Sequence, residues 1–371
     1  MVAVTGQHGP MLTSVLTLFG IIPDVDLGLH TPGQTLADVT VRALTGLAPV
    51  LTAMDPAAVV VQGDTTTTFT AALAAFYAQK PVVHVEAGLR TPDLHNPFPE
   101  EGNRRLTTRL ATLHLAATTA NRDALLAEAI SSASITVTGN TVIDALLEAT
   151  SRPQPWDDPH LAAALGADRR RGDRQTVLVT AHRRESWGGP LIAVAEAIAE
   201  VATARPDVQF LWPLHANPAV QGWVRPALER LENVVLTGPV GYGDFVRLMA
   251  VADVAVTDSG GVQEEAPALG VPVLVTRDVT ERQEAVDAGV ARLVGTRKQD
   301  VVHWLGRLLD DRKLHASMQT GYSPYGDGKA GARTAAAIAH LLGCGDRLPE
   351  LIDRTTRVRP ALLRPREPVL G

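Results

Sequence analysis

Short apolar runs alternate along this chain with longer amphipathic or Ala-rich stretches. "AAVVVQ" (57–62) precedes the helical "FTAALAAFYAQK" (69–80), which runs into "PVVHVE" (81–86). Further on, "TVLVTA" (176–181), "VQFLWPL" (208–214), "VVLTG" (234–238), "DVAVTD" (253–258) and "PVLVT" (272–276) recur, with helices such as "PLIAVAEAIAEVATARP" (190–206) between them. The Val/Leu runs are continuous and not alternating, as expected of strands buried on both faces. With helical crossovers between them they predict an α/β protein of parallel sheets. The pattern lapses in "TSRPQPWDDPHLAAALGADRRRGDRQ" (150–175), where Pro, Asp and Arg cluster, and then restarts. We expect a domain boundary there: one domain over 1–150 and a second over 151–330. The last stretch, 344–371, has several prolines and no period, and predicts a loosely ordered tail.

Polar clusters follow these strands. "GDTTTT" comes after "VVVQ", "EAGLRT" after "VVHV", "HRRES" after "VLVTA", "HANP" after "FLWPL" and "DSGGVQEEAP" after "VAVT". In an open parallel sheet the carboxyl ends of the strands border the ligand crevice. Five clusters at five strand ends, spread over both halves, predict two sheets facing one central cleft.

Composition narrows the class. The 371 residues are 45% hydrophobic and 20% charged, which suits two globular cores. Net charge is −6 and aromatics are only 4%, so neither a basic footprint nor a stacking surface points to nucleic acid. Cys344 is the only cysteine, so no internal disulfide or Cys-based metal site can form, and a reducing cytoplasm fits. No signal peptide and no apolar run long enough to span a bilayer are evident, so no membrane partner is expected.

"TDSGGVQEEAPALG" (257–270) is the most specific stretch. Two glycines at a strand-to-helix turn let backbone N–H groups approach a phosphate, and a helix N-terminus favours its charge. Ser259 can add a hydroxyl donor, and Glu265 can accept from ribose hydroxyls. The plain alternative is that Asp258 or Ser259 caps the helix. No G-x-G-x-x-G follows a strand, so no nicotinamide cofactor is expected. In the first half, Asp64 and Glu86 end strands, while Glu100 lies in "NPFPEEGNRR". Asp64 reads equally well as a helix cap, and Glu100 with Glu101 reads locally as a solvated first turn. Glu86 is different: a carboxylate ending a buried strand needs a partner or a task. His182 and His215 close strands of the second half without paired metal-ligand spacing, so no metal site is expected; each reads either as a satisfied polar residue or, facing a phosphate turn, as an anion ligand.

The set "GDTTTT", "HVEAGLRT", "PFPEEGNRRLT", "TAHRRES", "DSGGVQEEAPALGVPVLVTRDVTER" and "SPYGDGKA", from about Thr5 to about Leu342, closely resembles the bacterial non-hydrolysing UDP-N-acetylglucosamine 2-epimerases. The resemblance implies two Rossmann-like domains with the active site between them, a glycosyltransferase-B-like architecture, usually homodimeric. It also implies a last helix, about 331–343, that returns to the first domain. The implied partners are UDP-GlcNAc and UDP-ManNAc, with no cofactor. The implied route is elimination of UDP to 2-acetamidoglucal, then re-addition with the opposite C2 configuration. It makes Asp64, Glu86, Glu100 and His182 the catalytic set. Arg104, His215, Phe245, Ser259, Gly260, Gly261, Glu265 and Arg282 would bind the substrate. Gln7, His8 and Arg42 match positions that hold a second UDP-GlcNAc as activator, but Gly9-Pro10 replaces the usual Arg after His, so weak activation is expected.

Other departures are Gln283 in "TERQE", where the family commonly has Pro, and Ser323 in "SPYGDG", where it has Asn. "VAVTG" at the very start matches the family's second strand, so the reading expects the family's first strand, "GTRPE"-type loop and helix to be missing from this chain. A hydrolysing relative that releases N-acetylmannosamine, a glycosyltransferase of the same fold, and an inactive sugar-nucleotide-binding copy remain the alternatives.

Overall fold

The computed structural model describes residues 1–7, 10–31, 33–152, 156–165, 174–181, 183, 186–319 and 323–351. The chain divides into two compact units. One is Met1–Asp144 with the segment returning from Tyr325; the other is Ala145–Pro324. The division falls inside the helix Thr141–Ser151, ahead of the Pro-rich stretch where the apolar pattern lapses.

In the first unit, β1 (Ala3–Val4) and β2 (Val25–Asp26) pair in parallel as a sheet of their own. A second parallel sheet runs β3 (Val59–Gln62), β4 (Val82–Ala87), β5 (Leu113–Ala116), β6 (Ile135–Val137), in sequence order. Its inner strands are buried on both faces, as their unbroken apolar runs require. Val83, Val85, Leu113 and Leu115 pack against Ala337 of the returning helix Ala330–Leu341. That helix is tied down at its start, where the Asp144 carboxylate accepts the backbone N–H groups of Ala330 and Gly331. These are N-terminal N–H groups that the helix itself cannot satisfy.

Two expectations change here. The helix Leu36–Met54, 19 residues, is long and apolar enough by length and composition to cross a membrane. The sequence hides this because Asp38, Arg42 and scattered Thr, Gly and Pro break the helix into short apolar runs. In the fold it buries the stripe Val39, Ala43, Leu47 and Leu51, with Leu47 and Leu51 against Ala74 of the helix Thr66–Tyr77. The tail expected to be loose is docked over its described part. Leu351 N–H donates to Val137 O at 2.9 Å, Glu350 accepts from Val137 N–H, and Arg347 donates to Ala133 O. β6 is an edge strand, and its open backbone groups recruit this segment; residues 352–371 lie outside the described part.

The second unit holds β7 (Thr176–Thr180), β8 (Gln209–Pro213), β9 (Val234–Thr237), β10 (Val254–Thr257), β11 (Val273–Val275) and β12 (Ala291–Leu293). Their order is β12-β11-β10-β7-β8-β9, all parallel. This is the doubly wound Rossmann order, and the strand order reverses between β7 and β10. Phe210 and Trp212 of β8 are buried in one core cluster with Leu191, Ile198 and Val220 of the flanking helices.

Candidate active site

In the first unit the loop after β3 brings Asp64 beside Glu86. Gly63 has φ +74°, and a Cβ there would sit 3.3 Å from Glu86 Oε2, so the turn that delivers Asp64 beside Glu86 calls for glycine. The buried ring of His84 binds the Gly63 carbonyl at 2.9 Å through Nε2. Burial pushes this imidazole down to about 4, so it is neutral and donates from Nε2. Asp64 is not the helix cap; Thr65 is, accepting from Thr68 N–H. The Asp64 carboxylate instead pairs with Arg104 Nη1 at 2.7 Å, and its carbonyl accepts from Asn103 Nδ2 at 2.9 Å. Both partners lie on the helix Glu100–Leu110, whose first residue is Glu100. Glu100 Oε2 is buried and makes no hydrogen bond among the described residues. A buried carboxylate oxygen left this way is costly unless a ligand meets it.

The solvated-first-turn reading fails for Glu101, which is 0% exposed. It accepts from Arg104 Nε at 2.9 Å, Arg105 Nε at 2.7 Å and Thr91 N–H at 3.1 Å. A carboxylate without water must be paired, and here it orients the arginine that holds Asp64. Glu86 lies in β4 where the pairing with β5 shifts register; its φ is +63° and its Oε1 accepts from Asn140 Nδ2 at 2.8 Å.

In the second unit the turn after β10 sits at the reversal of strand order. Thr180 and Thr257 share a hydroxyl bond across β7 and β10, and the buried Asp258 accepts from Arg183 N–H at 2.9 Å. Ser259 holds the N-cap position of the helix Gly260–Ala268 without a side-chain cap bond, so its hydroxyl is not employed as a cap. A Cβ on Gly260 would lie 2.8 Å from Arg282 Cζ, so glycine lets that guanidinium lie across the helix N-terminus. Arg282 is fixed by Glu264 at 2.9 Å and by Glu281. Burial alone would push the Glu281 carboxyl up. Arg282, Arg277 and Arg183 outweigh it and take the group down to about 2. One carboxylate thus gathers three arginines beside a helix N-terminus, a suitable arrangement for a multiply charged anion. Glu265 is 5% exposed and accepts from Tyr242 Oη at 2.7 Å. Burial raises its pKa to about 7; the Tyr242 bond opposes this and Glu264 adds to it.

Phe245 is half-buried on the helix Tyr242–Val251, three residues from Tyr242. His215 is exposed just past β8, accepting from Asn217 N–H through Nδ1 at 3.1 Å. Gln7 accepts from Thr67 through its side chain, and Arg42 donates to Thr31 Oγ1. His182 and His8 lie outside the described residues. Among the described residues no group of His, Cys, Asp and Glu could hold a metal ion. Sequence reading did not single out Asn140, Tyr242, Arg277 or Glu281. Asn140 carried a signal, since "TGNTVID" also follows a strand; Tyr242 lies in a glycine-rich stretch and no local pattern marks its hydroxyl.

The arrangement has parallels. Residues 1–339 match the family model for UDP-N-acetylglucosamine 2-epimerase. The UDP-N-acetylglucosamine 2-epimerase of Escherichia coli (strain K12) is 49% identical over 339 residues, covering 91% of this chain and 90% of that protein. The crystal structure of UDP-GlcNAc 2-epimerase from Neisseria meningitidis bound to UDP-GlcNAc is 42% identical, with a TM-score of 0.84 over 92% of this chain and 91% of that one. The Methanocaldococcus jannaschii UDP-GlcNAc 2-epimerase in complex with UDP-GlcNAc and UDP is 30% identical, with a TM-score of 0.73 over 92% and 91%. Sequence and fold agree: the chain belongs to the UDP-N-acetylglucosamine 2-epimerase family.

Proposed function

We propose that this protein interconverts UDP-GlcNAc and UDP-ManNAc without hydrolysis. The observation that carries the reading is the pair Asp64 and Glu86, brought to either side of Gly63 at the ends of neighbouring parallel strands. The C2 proton of the sugar is not acidic, because no carbonyl adjoins it. Breaking the C1–O bond first sends its electron pair to the β-phosphate of UDP and leaves an oxocarbenium-like C1. The C2 proton then passes to a carboxylate and the C1=C2 bond of 2-acetamidoglucal forms. Return of a proton to the other face of C2, with attack of UDP oxygen on C1, completes inversion.

This route needs bases on both faces of C2, which Asp64, Glu86 and Glu100 supply between them. It also needs stabilisation of the departing diphosphate, which we assign to Ser259, Gly260, Gly261, Arg282 and His182. Glu265 is assigned to the ribose, Phe245 to the uracil, and Arg104 and His215 to the substrate's charged and polar groups. No carbon changes oxidation state overall, so acids, bases and hydrogen-bond donors suffice. The family likeness supports a homodimer. A lone cysteine and a charged substrate that does not cross bilayers support a cytoplasmic location.

Product analysis by NMR tests the reading. UDP-GlcNAc should come to equilibrium with UDP-ManNAc, the nucleotide sugars remaining intact. Steady accumulation of free N-acetylmannosamine and UDP would instead assign the chain to the hydrolysing reaction.

A further inference from the structure

Asn140 joins β6 to the helix Thr141–Ser151 and its side chain is buried. Its Oδ1 accepts the backbone N–H of Val142 at 3.1 Å, and its Nδ2 reaches Glu86 Oε1 at 2.8 Å. A backbone N–H can only donate, so the amide oxygen must face Val142 and the NH2 must face Glu86. The orientation is therefore dictated by covalent chemistry. Asn140 is itself held: its N–H donates to the carbonyl of Tyr325, from the "SPYGDGKA" segment, at 2.6 Å. The preceding Gly139 has φ +85°, and a Cβ there would sit 3.4 Å from that same carbonyl, so the returning segment packs closely on this turn.

Glu86 shows the other half of the device. It takes a left-handed φ of +63° at a register shift, a conformation that a non-glycine keeps only where its surroundings impose it. Such outliers cluster where a side chain must be aimed.

We propose that Asn140 is a positioning residue for Glu86, fixing one carboxylate oxygen through a charge-assisted bond and thereby setting the direction in which this base meets C2. The returning segment, through Tyr325, keeps Asn140 in place. The inference rests on the reading of Glu86 as a base for the C2 proton. Among the described residues, the other ionisable groups around this corner are Asp64 after β3, the neutral His84 on β4, Glu101 and Arg104 on the helix Glu100–Leu110, Asp144 on the helix that Asn140 precedes, and the Asp327–Arg333 pair of the returning segment. All of them are unaltered in the test.

Asn140→Asp keeps the shape and the Val142 bond but sets a carboxylate against Glu86. Two carboxylates at this distance cannot both ionise readily, so the pair titrates higher. We expect kcat at pH 7 to fall about tenfold or more, KM to stay within about threefold, and the acid limb of kcat to move up by about one pH unit. Asn140→Ala removes the donor without adding a charge, so it should lower kcat and move that limb up by less than Asn140→Asp does. NMR titration of the Glu86 side-chain carboxyl carbon reads the same pair whether or not the protein turns over. Its midpoint should rise by about one unit in Asn140→Asp. An unmoved midpoint would overturn the proposal, as would equal kcat losses in both variants with an unshifted pH profile. A wild type without any C2 exchange would sink the epimerase reading instead, and the titration would still decide whether Asn140 governs Glu86.

Discussion

Replacing Tyr242 with Phe removes one hydroxyl and leaves the ring that packs beside Glu265. That hydroxyl, 2.7 Å from Glu265 Oε1, is the interaction that favours the charged carboxylate, against burial and Glu264, which favour the neutral acid. With the balance at about 7, Glu265 is half protonated near neutrality. A carboxyl accepts ribose hydroxyls most strongly when ionised, so binding a uridine nucleotide should expel the proton. If binding ionises the group fully, about 0.9 proton is released per site at pH 6 and about 0.1 at pH 8. A hydrogen bond to a charged group contributes about 1.5–3 kcal/mol, so losing it should move the midpoint up by about one unit or more. In Tyr242→Phe the release at pH 7 should then grow from about 0.5 to about 0.9 proton. Calorimetry of UDP-GlcNAc binding in buffers of different ionisation enthalpy measures this, in a Glu86→Gln background that suppresses turnover. The diphosphate diester of the ligand does not titrate in this range. A release that is flat from pH 6 to 8, or the same in Glu265→Gln, would refute the reasoning.

Gly260→Ala places a Cβ 2.8 Å from Arg282 Cζ, and because Glu264 and Glu281 restrain that guanidinium, UDP affinity should weaken about tenfold. An unchanged Kd with an unchanged melting temperature would show that Arg282 yields freely. Glu101→Gln leaves the buried Arg104 short of its partner and should cost about 3 kcal/mol in urea unfolding; a loss below about 1 kcal/mol would mean that Asp64 alone satisfies that arginine. His84, neutral down to about 4 when folded, titrates near its ordinary value when unfolded. Its contribution to stability is therefore intact above pH 6.5 and lost as pH falls toward 4, by roughly 3 kcal/mol. His84→Gln should flatten that acid limb, and an equally steep limb in the variant would assign it to other groups.

The second unit's strands could be read directly, because β7, β8 and β10 are continuous apolar runs closed by polar turns. β5 and β6 were harder: each has only three or four residues, and His114 or Thr136 breaks its apolar run. His114 pairs across from His84 on β4, two buried imidazoles that look like surface polarity in a sequence. Glu101 was misread for the same reason, since its partners Arg104 and Arg105 sit on its own helix and only packing excludes the water. Ser259, Gly260 and Glu265 stood out because the chemistry of a phosphate turn is local. Asn140 and Glu281 act on residues far away in the chain, Glu86 and Arg183, and no local pattern encodes such pairings.

The central claim is proton removal from C2 through a glucal intermediate, and solvent exchange at that carbon tests it most directly. Incubated with UDP-GlcNAc in deuterated water, the protein should place deuterium at C2 of both UDP-ManNAc and recovered UDP-GlcNAc. Glu86→Gln should slow the exchange by about 10²- to 10⁴-fold while leaving UDP binding nearly unchanged. Epimerisation that retained the original hydrogen at C2 would contradict the account.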